Sequence, residues 1–183
     1  MTQEELDVIL KKHLNWLTGR DNAEFTDLCN EDLRGLDLTN AYLGSINLSG
    51  ADLRGADLTY ADLAFANLSE AELSKAILNG TDLRDVNLIS ANLTDTDLAN
   101  TNLTRVITDE VTGEHIISVQ IPARFMNTRI SYWVTYRIWT MGDFQGNLKE
   151  FKKYIEKKYG DKEPIYKRCN RAIEYILNEV DEL

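Results

Sequence analysis

The chain has 183 residues, of which 43% are hydrophobic, and its 20 basic and 30 acidic residues give a net charge of −10. This composition indicates a folded protein, and no apolar run approaches the roughly 20 residues of a membrane-spanning helix. The N-terminal residues are acidic where a signal peptide is basic, so we expect a cytoplasmic protein. The two cysteines lie far apart and predict free thiols, and no spacing of cysteine or histidine indicates a metal site.

Residues 1–25 are predicted to form an N-terminal helical cap. Thr2 and Glu5 have the spacing of a capping box, and Gly19 is a typical helix stop. His13 lies on the apolar stripe of this helix, and we interpret it as a packed structural residue rather than a ligand or a catalytic base. The stripe recurs at helical spacing and consists of Leu6, Ile9, Leu10, Leu14 and Leu17.

Leucine occupies every fifth position from Leu28 to Leu103, sixteen times in succession. A period of five belongs to neither an α-helix nor a β-strand. Two positions before each leucine the residue is small or apolar, with Glu31 as the exception, and directly before the leucine it is usually Asp or Asn. The pattern predicts a coiled solenoid in which each unit is a short extended segment and a turn. The leucine and the small residue point inward, and the Asp or Asn points outward.

The units ADLRG, ADLTY, ADLAF, ANLSE and ANLTD resemble the A(D/N)LXX motif of the pentapeptide-repeat family, and the resemblance covers residues 26–105. It implies a mainly β fold, a right-handed quadrilateral β-helix with four units per coil and about four coils. The departures at Tyr42, Ile46 and Glu31 predict irregular early coils. A further departure at Ile77 predicts a local disturbance.

Residues 106–183 are predicted to form a C-terminal α+β module of strands followed by two helices. The segments HIISVQI and RISYWVTYRIWTM are rich in β-branched and aromatic residues, and MGDFQGN is expected to be a loop. The module is similar to C-terminal segments of some phage-encoded pentapeptide-repeat proteins. A solenoid exposes unpaired backbone at both ends, so we expect the module to cap the end opposite to the helix. A homodimer through this module is also expected.

No catalytic constellation is present in the sequence. It contains no glycine-rich phosphate loop and no nucleophile with an evident base. The lysine-rich segment 149–162 is interrupted by acids and is interpreted as a solvated helix face rather than a nucleic-acid site. We therefore expect a binding protein with no enzymatic activity, no cofactor and no metal.

The family resemblance implies one specific function. Some members protect or inhibit DNA gyrase with an acidic rod that imitates DNA, and phage inhibitors of defence enzymes use the same electrostatic principle. By this interpretation the chain inhibits or protects a DNA- or RNA-binding enzyme and does not bind nucleic acid or membranes itself. Residues 26–105 carry thirteen acids and five bases, but nine of these acids lie directly before a leucine, where the fold itself favours Asp or Asn. The acidity alone therefore does not establish DNA mimicry.

Two alternatives stay open at this point. Outward-facing aromatic side chains could bind a protein by shape and apolar contact, unless a flanking segment covers them. The solenoid could also be a spacer in an adaptor whose C-terminal module carries specificity. Across these interpretations, the candidate partner-binding residues are Asp52, Asp57, Tyr60, Asp62, Phe65, Glu70 and Asp82.

Overall fold

The computed structural model shows two compact units, Met1–Gly113 and Glu114–Leu183. The first contains one helix and a solenoid of short parallel β-bridges, and the second contains a four-stranded sheet and two helices. Within the part of the chain that is described, no helix has the length and apolar character needed to cross a membrane. The described residues are 1–20, 25–114, 116–123 and 126–181.

The first helix, α1, spans Gln3–Leu17. Both hydrogen bonds of the predicted capping box are present. The backbone N–H of Glu5 donates to Thr2 Oγ1 at 3.2 Å, and the backbone N–H of Thr2 donates to a carboxylate oxygen of Glu5 at 2.8 Å. The helix ends just before Gly19, whose φ of +63° is the left-handed conformation typical of a residue that follows a helix.

Helix α1 contacts the first coil of the solenoid. Leu6 and His13 are its buried residues. The side-chain amide of Gln3 bonds both backbone groups of Asp37, each at 2.9 Å, and His13 Nε2 lies 3.1 Å from the backbone oxygen of Gly44. These contacts attach the helix to the solenoid through backbone groups that a coil end would otherwise expose.

Isolated parallel β-bridges join residues twenty positions apart, from the Asp27–Asn47 bridge to the Asn92–Thr112 bridge. Twenty residues are four five-residue units, so four units complete one coil. All sixteen leucines of Leu28–Leu103 are at most 2% exposed and form the core. The inward orientation predicted from the fivefold spacing is therefore what the structure shows, and the first unit is a β-helix-like solenoid.

Each unit bonds both neighbouring coils and then turns. The backbone N–H of Asp52 donates to the Glu31 oxygen in one direction, and the N–H of Leu53 donates to the Glu72 oxygen in the other, at 2.9 and 2.8 Å. The last residue of a unit has a left-handed φ, as at Tyr60 with +57°. Side chains at these turn positions therefore project from the corners between successive extended segments.

The structure corrects two expectations about the repeat. Ile77 forms bridges to both neighbouring coils, so no disturbance of the bridging occurs there. The residue before each leucine points outward, and an isoleucine can occupy that position without changing the coil. The bridged coil also continues past the predicted end at residue 105, as far as Thr112, and Thr108 is buried where the next leucine would stand.

The second unit is an antiparallel sheet in the order β1-β2-β3-β4, followed by two helices. The segment expected to be a loop, MGDFQGN, contains β4, because Met141 and Phe144 pair across a two-residue turn in which Gly142 has a φ of +56°. The prediction that this module caps the solenoid stays a prediction. The elements are β1 Ile116–Ala123, β2 Met126–Trp133, β3 Ile138–Met141, β4 Phe144–Gly146, α2 Leu148–Tyr159 and α3 Glu163–Asp181.

Aromatic side chains fill the core of the second unit. Trp139 lies between Tyr132 and Phe151, with ring centroids 4.7 and 5.4 Å away. The buried side chains of α3 that complete this core include Cys169 and Ile173. The thiol of Cys169 is therefore a packing group, and burial raises its pKa.

Replacing Gly113 with alanine is expected to lower the free energy of unfolding by about 2 kcal/mol. Gly113 has a φ of +86°, and an added Cβ would overlap the backbone nitrogen and Cα of Thr94. Urea unfolding followed by circular dichroism measures the effect. Gly55→Ala is the matched control, because Gly55 has a φ of +67° with no atom within 4 Å of the added Cβ, and its cost is about 1 kcal/mol. Equal losses in the two variants would contradict the overlap at Thr94.

Candidate functional site

The outward residues before each leucine stack into four columns, one on each segment of the coil. Adjacent members of a column are twenty residues apart and are joined by β-bridges. The amide column is Asp27, Asn47, Asn67, Asn87 and Ile107; the ion-pair column is Asp32, Asp52, Glu72, Asn92 and Thr112; the acidic column is Asp37, Asp57, Ile77 and Asp97; and the tyrosine column is Tyr42, Asp62, Asp82 and Asn102.

The four candidate aspartates lie in three of these columns. Asp52 belongs to the ion-pair column and Asp57 to the acidic column. Only Asp62 and Asp82 are neighbours, joined by a β-bridge in the tyrosine column. The structure therefore does not bring the four carboxylates together into one acidic surface, because successive units of the repeat face different directions.

Two of the candidate carboxylates are already engaged by arginines. Arg54 Nη2 lies 2.5 Å from Asp52 Oδ2, and Arg84 Nη2 lies 2.6 Å from Asp82 Oδ2. The hydrogen bonds from the Arg54 side chain lower the pKa of Asp52 below its usual value of 3.8. A partner that approaches Asp52 or Asp82 meets an ion pair, so these two positions contribute less attraction for a basic surface than their charge suggests.

A sequence signal for these ion pairs exists, and the sequence interpretation missed it. The tripeptide Asp-Leu-Arg occurs at residues 32–34, 52–54 and 82–84. The Asp carboxylate accepts the backbone N–H two residues later, at 3.1–3.3 Å, and the arginine there extends its guanidinium back to the same carboxylate. The turn geometry thus pairs any arginine at this position with the aspartate that precedes the leucine.

The aspartates of the acidic column differ because none of them is followed two residues later by an arginine. Among the described residues, no ion pair involves Asp37, Asp57 or Asp97. Each carboxylate accepts a backbone N–H two residues later at 2.9 Å, and at Asp37 the N–H and hydroxyl of Thr39 lower the pKa of the carboxyl. These three carboxylates lie along one line of the solenoid, where Asp37 and Asp97 are exposed and Asp57 is half-buried.

Exposed aromatic residues stand at both corners of the segment that carries Asp62 and at the position bridged to it. Tyr60 and Phe65 lie at the two corners that bound its segment and are 64% and 62% exposed, so no described segment covers them. Tyr42, which bridges to Asp62 from the preceding coil, is 59% exposed. We call Tyr42, Tyr60, Asp62 and Phe65 the aromatic surface. Tyr42 entered the sequence interpretation only as an irregularity of the repeat, although the expected coil of four units already places it beside Asp62.

The remaining candidate, Glu70, is exposed at the next corner along the chain, with a φ of +60°. It lies in the column of corner residues with Gly50 and Ser90, so it belongs neither to the aromatic surface nor to the acidic column. In the described residues, no cluster of His, Cys, Asp or Glu could hold a metal ion.

Comparisons with known proteins agree with the repeat. A family model described as pentapeptide repeats matches residues 37–74 and 66–105, with eight copies. No match was found among curated proteins. Similar solved structures include the pentapeptide repeat protein Rfr23 from the cyanobacterium Cyanothece 51142, which is 37% identical. The match covers 46% of this chain and 55% of that chain, with a TM-score of 0.32.

Two further solved structures are similar to about half of this chain. A pentapeptide repeat protein from Nostoc Pcc 7120 is 34% identical over 50% of this chain and 71% of its own, with a TM-score of 0.27. One from the thylakoid lumen of Arabidopsis thaliana is 31% identical over 44% of this chain and 60% of its own, with a TM-score of 0.25. The chain thus spans less than two thirds of the Cyanothece and Arabidopsis proteins.

Proposed function

Because the chain belongs to the pentapeptide-repeat family, we propose that it is a non-enzymatic binding protein whose solenoid binds a protein partner and inhibits or protects it. The partner in this proposal is a DNA- or RNA-binding enzyme in the cytoplasm of a bacterial or phage-infected cell. The observation that carries the proposal is the acidic column, in which Asp37, Asp57 and Asp97 line one side of the solenoid without an arginine.

The charge distribution supports a basic partner. Residues 1–113 contain 20 acidic and 8 basic residues, a net charge of −12, whereas residues 114–183 contain 10 acidic and 12 basic residues. Such a field attracts a positively charged cleft and repels nucleic acid. Successive coils stand about 4.8 Å apart, so Asp37 and Asp57 present carboxylates at a spacing of the same order as phosphates along DNA, which lie about 3.4 Å apart per strand. Ile77 then separates Asp57 from Asp97 in this column.

The finer features of the fold form part of the same proposal. A four-sided coil is supported by the bridge spacing of twenty residues, and right-handedness rests on the family. The role of α1 as a cap is supported by the hydrogen bonds from Gln3 and His13 to backbone groups of the first coil. A stable N-terminal coil keeps the acidic column, which begins at Asp37, in register.

The test compares two variants that lose the same formal charge. Asp57→Asn with Asp97→Asn removes carboxylates of the acidic column, and Asp52→Asn with Asp82→Asn removes carboxylates paired with arginine. Asparagine occupies equivalent positions at Asn47 and elsewhere, so both variants should fold. We expect the first variant to bind the partner about tenfold more weakly and the second to change affinity by less than about threefold.

The measurement uses a panel of purified enzymes: DNA gyrase, a type I restriction endonuclease and RNA polymerase. Binding of the labelled protein is followed by fluorescence anisotropy in competition with duplex DNA. Displacement by DNA, together with the difference between the two variants, supports the proposal. Equal losses in both variants would show that only net charge matters, and binding to no enzyme of the panel in competition with DNA would reject DNA mimicry.

An adaptor in which the second unit carries specificity or forms a homodimer is the alternative. It is favoured by the separate aromatic core around Trp139, which gives residues 114–183 a fold of their own. Under this alternative, Asp57→Asn with Asp97→Asn leaves partner binding unchanged. Sedimentation equilibrium of the full chain would then show a dimer at micromolar concentration.

A further inference from the structure

We propose that the aromatic surface binds an arginine or lysine side chain presented by a protein partner. Its four residues are Tyr42, Tyr60, Asp62 and Phe65. The cation would lie against the exposed rings and next to the Asp62 carboxylate. This inference does not rest on the function proposed for the acidic column, because the aromatic surface lies on another segment of the coil and contains none of those aspartates.

The arrangement places one carboxylate among three exposed rings. Tyr42 and Asp62 are bridged neighbours in adjacent coils, and Tyr60 and Phe65 lie at the two ends of the segment that carries Asp62. The side-chain carboxylate of Asp62 accepts the backbone N–H of Ala64 at 3.1 Å, which fixes its position at the surface. A ring face and a carboxylate both attract a cation, so their combination is specific for Arg or Lys.

The nearby Arg84 interacts with the negative charge of Asp62 but does not pair with it directly. Among the described residues, no ion pair involves Asp62, and the nearby Arg84 directs its guanidinium to Asp82, with hydrogen bonds of 2.8 and 2.9 Å from Nε. In the ion-pair column, by contrast, Asp52 is engaged by Arg54 from its own unit. The residue two positions after Asp62 is alanine rather than arginine, and this difference leaves the carboxylate for an external cation.

Small residues lie next to the exposed rings. The Tyr60 ring lies against Gly80 of the next coil, since a Cβ added at Gly80 would overlap the ring carbons Cδ1 and Cε1. The Cδ1–Cε1 side of the ring therefore lies against the Gly80 backbone, and 64% of the residue remains exposed. Ala64 is buried within the segment between Asp62 and Phe65. The rings and the carboxylate thus project from an otherwise flat surface.

The backbone at both corners is unfavourable for aromatic residues. Tyr60 and Phe65 have φ values of +57° and +64°, a conformation that suits glycine or asparagine better than a bulky side chain. The corner column of Tyr60 has Asn40, Gly80 and Asn100 in the other coils, and that of Phe65 has Ser45, Asp85 and Arg105. The fold does not require aromatic residues here, and their exposure offers no burial in compensation, which favours a role in binding.

Charge decides between possible occupants of this surface. An acidic or neutral partner gains nothing from Asp62, and the net charge of −12 on residues 1–113 opposes the approach of a second solenoid. An arginine on a partner loop can stack on Tyr60 or Tyr42 and hydrogen-bond the Asp62 carboxylate at the same time. The proposed occupant of the aromatic surface is therefore a basic side chain on a loop of another protein.

The experiment measures binding of a fluorescein-labelled Gly-Arg repeat peptide to the full chain by anisotropy at low salt. The neutral citrulline analogue of the same peptide is the matched ligand. We expect the arginine peptide to bind and to shift the NMR ring resonances of Tyr42, Tyr60 and Phe65. The citrulline peptide should bind at least about tenfold more weakly, because it retains the shape but not the charge.

Variants locate the site without disturbing the fold. Tyr60→Asn and Asp62→Asn introduce a residue that the same columns already contain at Asn40 and Asn102, and each should weaken binding about threefold to thirtyfold. Asp27→Asn removes the same charge from the amide column and should change affinity by less than about twofold.

Gly80→Asn tests the position of the ring rather than its presence. Asparagine tolerates the left-handed corner, as at Asn100, but its side chain occupies the place where the Tyr60 ring rests. We expect a loss of peptide affinity close to that of Tyr60→Asn.

Three results would overturn the proposal. Equal binding of the citrulline peptide would show apolar contact alone, and equal weakening by Asp27→Asn would show non-specific attraction to the acidic solenoid. Ring resonances that shift with protein concentration in the absence of peptide would identify a second copy as the occupant. Persistence of peptide binding in Asp57→Asn with Asp97→Asn keeps this inference separate from the function proposed for the acidic column.

Discussion

Replacement of Leu63 with alanine is expected to lower the free energy of unfolding by about 3 to 4 kcal/mol. Leu63 is fully buried in the core of the coil, directly after Asp62 in the segment between Tyr60 and Phe65. Removing a buried leucine side chain costs its transfer free energy and leaves a cavity that the hydrogen-bonded coils cannot close. Urea unfolding followed by circular dichroism measures the loss.

Leu36→Ala is the matched control for this prediction. The chemical change is the same, but Leu36 is only half-buried in the first coil, so we expect a loss of about 1 kcal/mol. A loss at Leu63 as small as at Leu36 would contradict a tightly packed core. Because Leu63 supports the aromatic surface, its replacement should also weaken binding of the Gly-Arg peptide, even at temperatures where the chain remains folded.

The core of the solenoid was predictable because its rule is local. A leucine at every fifth residue can be buried only if the chain turns after each short segment, and the structure confirms that all sixteen leucines of the series are buried. The capping box of Thr2 and Glu5 was equally accessible, since both hydrogen bonds depend on residues three apart. Such features can be predicted without knowing which distant parts of the chain are in contact.

The chemistry of the surface was less predictable because it depends on the coil. Asp52, Asp57 and Asp62 have the same position in the motif, yet one is paired with Arg54, one belongs to the acidic column and one lies among aromatic rings. A count of the acidic residues treats these three aspartates as equivalent. Their differences come from the residue two positions later and from the residue twenty positions away, and the second becomes a neighbour only in the folded coil.

In the second unit, prediction from the sequence was limited for a different reason. The aromatic segment that contains Trp133 and Trp139 was expected to form strands, and it does, but a turn at residues 134–137 divides it into β2 and β3. The strand β4 was missed because three residues carry too little periodicity to distinguish a strand from a loop. Its pairing with β3 depends on the turn at Gly142, whose conformation only the structure reveals.

One repeat rule therefore produces surfaces with different chemistry. The amide column is a ladder in which Asn67 donates to Asn47 and Asn87 donates to Asn67, at 3.3 and 3.1 Å. The ion-pair column is locally neutralised by Arg34 and Arg54. The acidic column and the aromatic surface are the two surfaces that we propose for partner binding. Under these proposals a basic protein would engage both at once, because Tyr60 stands at the corner between their two segments. Asp57→Asn with Asp97→Asn removes only the contribution of the acidic column.

Replacement of His13 with alanine is expected to lower the free energy of unfolding by about 3 kcal/mol at pH 7.5, since the ring is fully buried and stacked on Trp16 with centroids 5.6 Å apart. His13 Nε2 lies 3.1 Å from the Gly44 carbonyl, so it carries the proton and donates. His13 Nδ1 is buried without a hydrogen-bond partner among the described residues, so protonation there would bury an unpaired charge.

The same geometry predicts how stability depends on pH. Burial lowers the pKa of His13 below its ordinary value of 6.5, and the hydrogen bond to the Gly44 carbonyl only partly opposes this. As the pH falls below about 6.5, the unfolded chain binds a proton before the folded chain does, so stability decreases until the folded pKa is passed. The contribution is fully present above 6.5.

Urea unfolding at pH 7.5, 6.0 and 5.0 measures this contribution in the wild type and in His13→Ala. We expect the wild type to lose stability across this range and the variant, which lacks the group, to lose less. Asp32, Asp37 and Asp52 have lowered pKa values, so their contribution is present above 3.8 and is lost only as the pH falls below it. An identical pH profile in both proteins would show that His13 does not titrate on unfolding. Loss of the aromatic contact between Trp16 and Phe25 at low pH, seen by NMR, would place the change at α1.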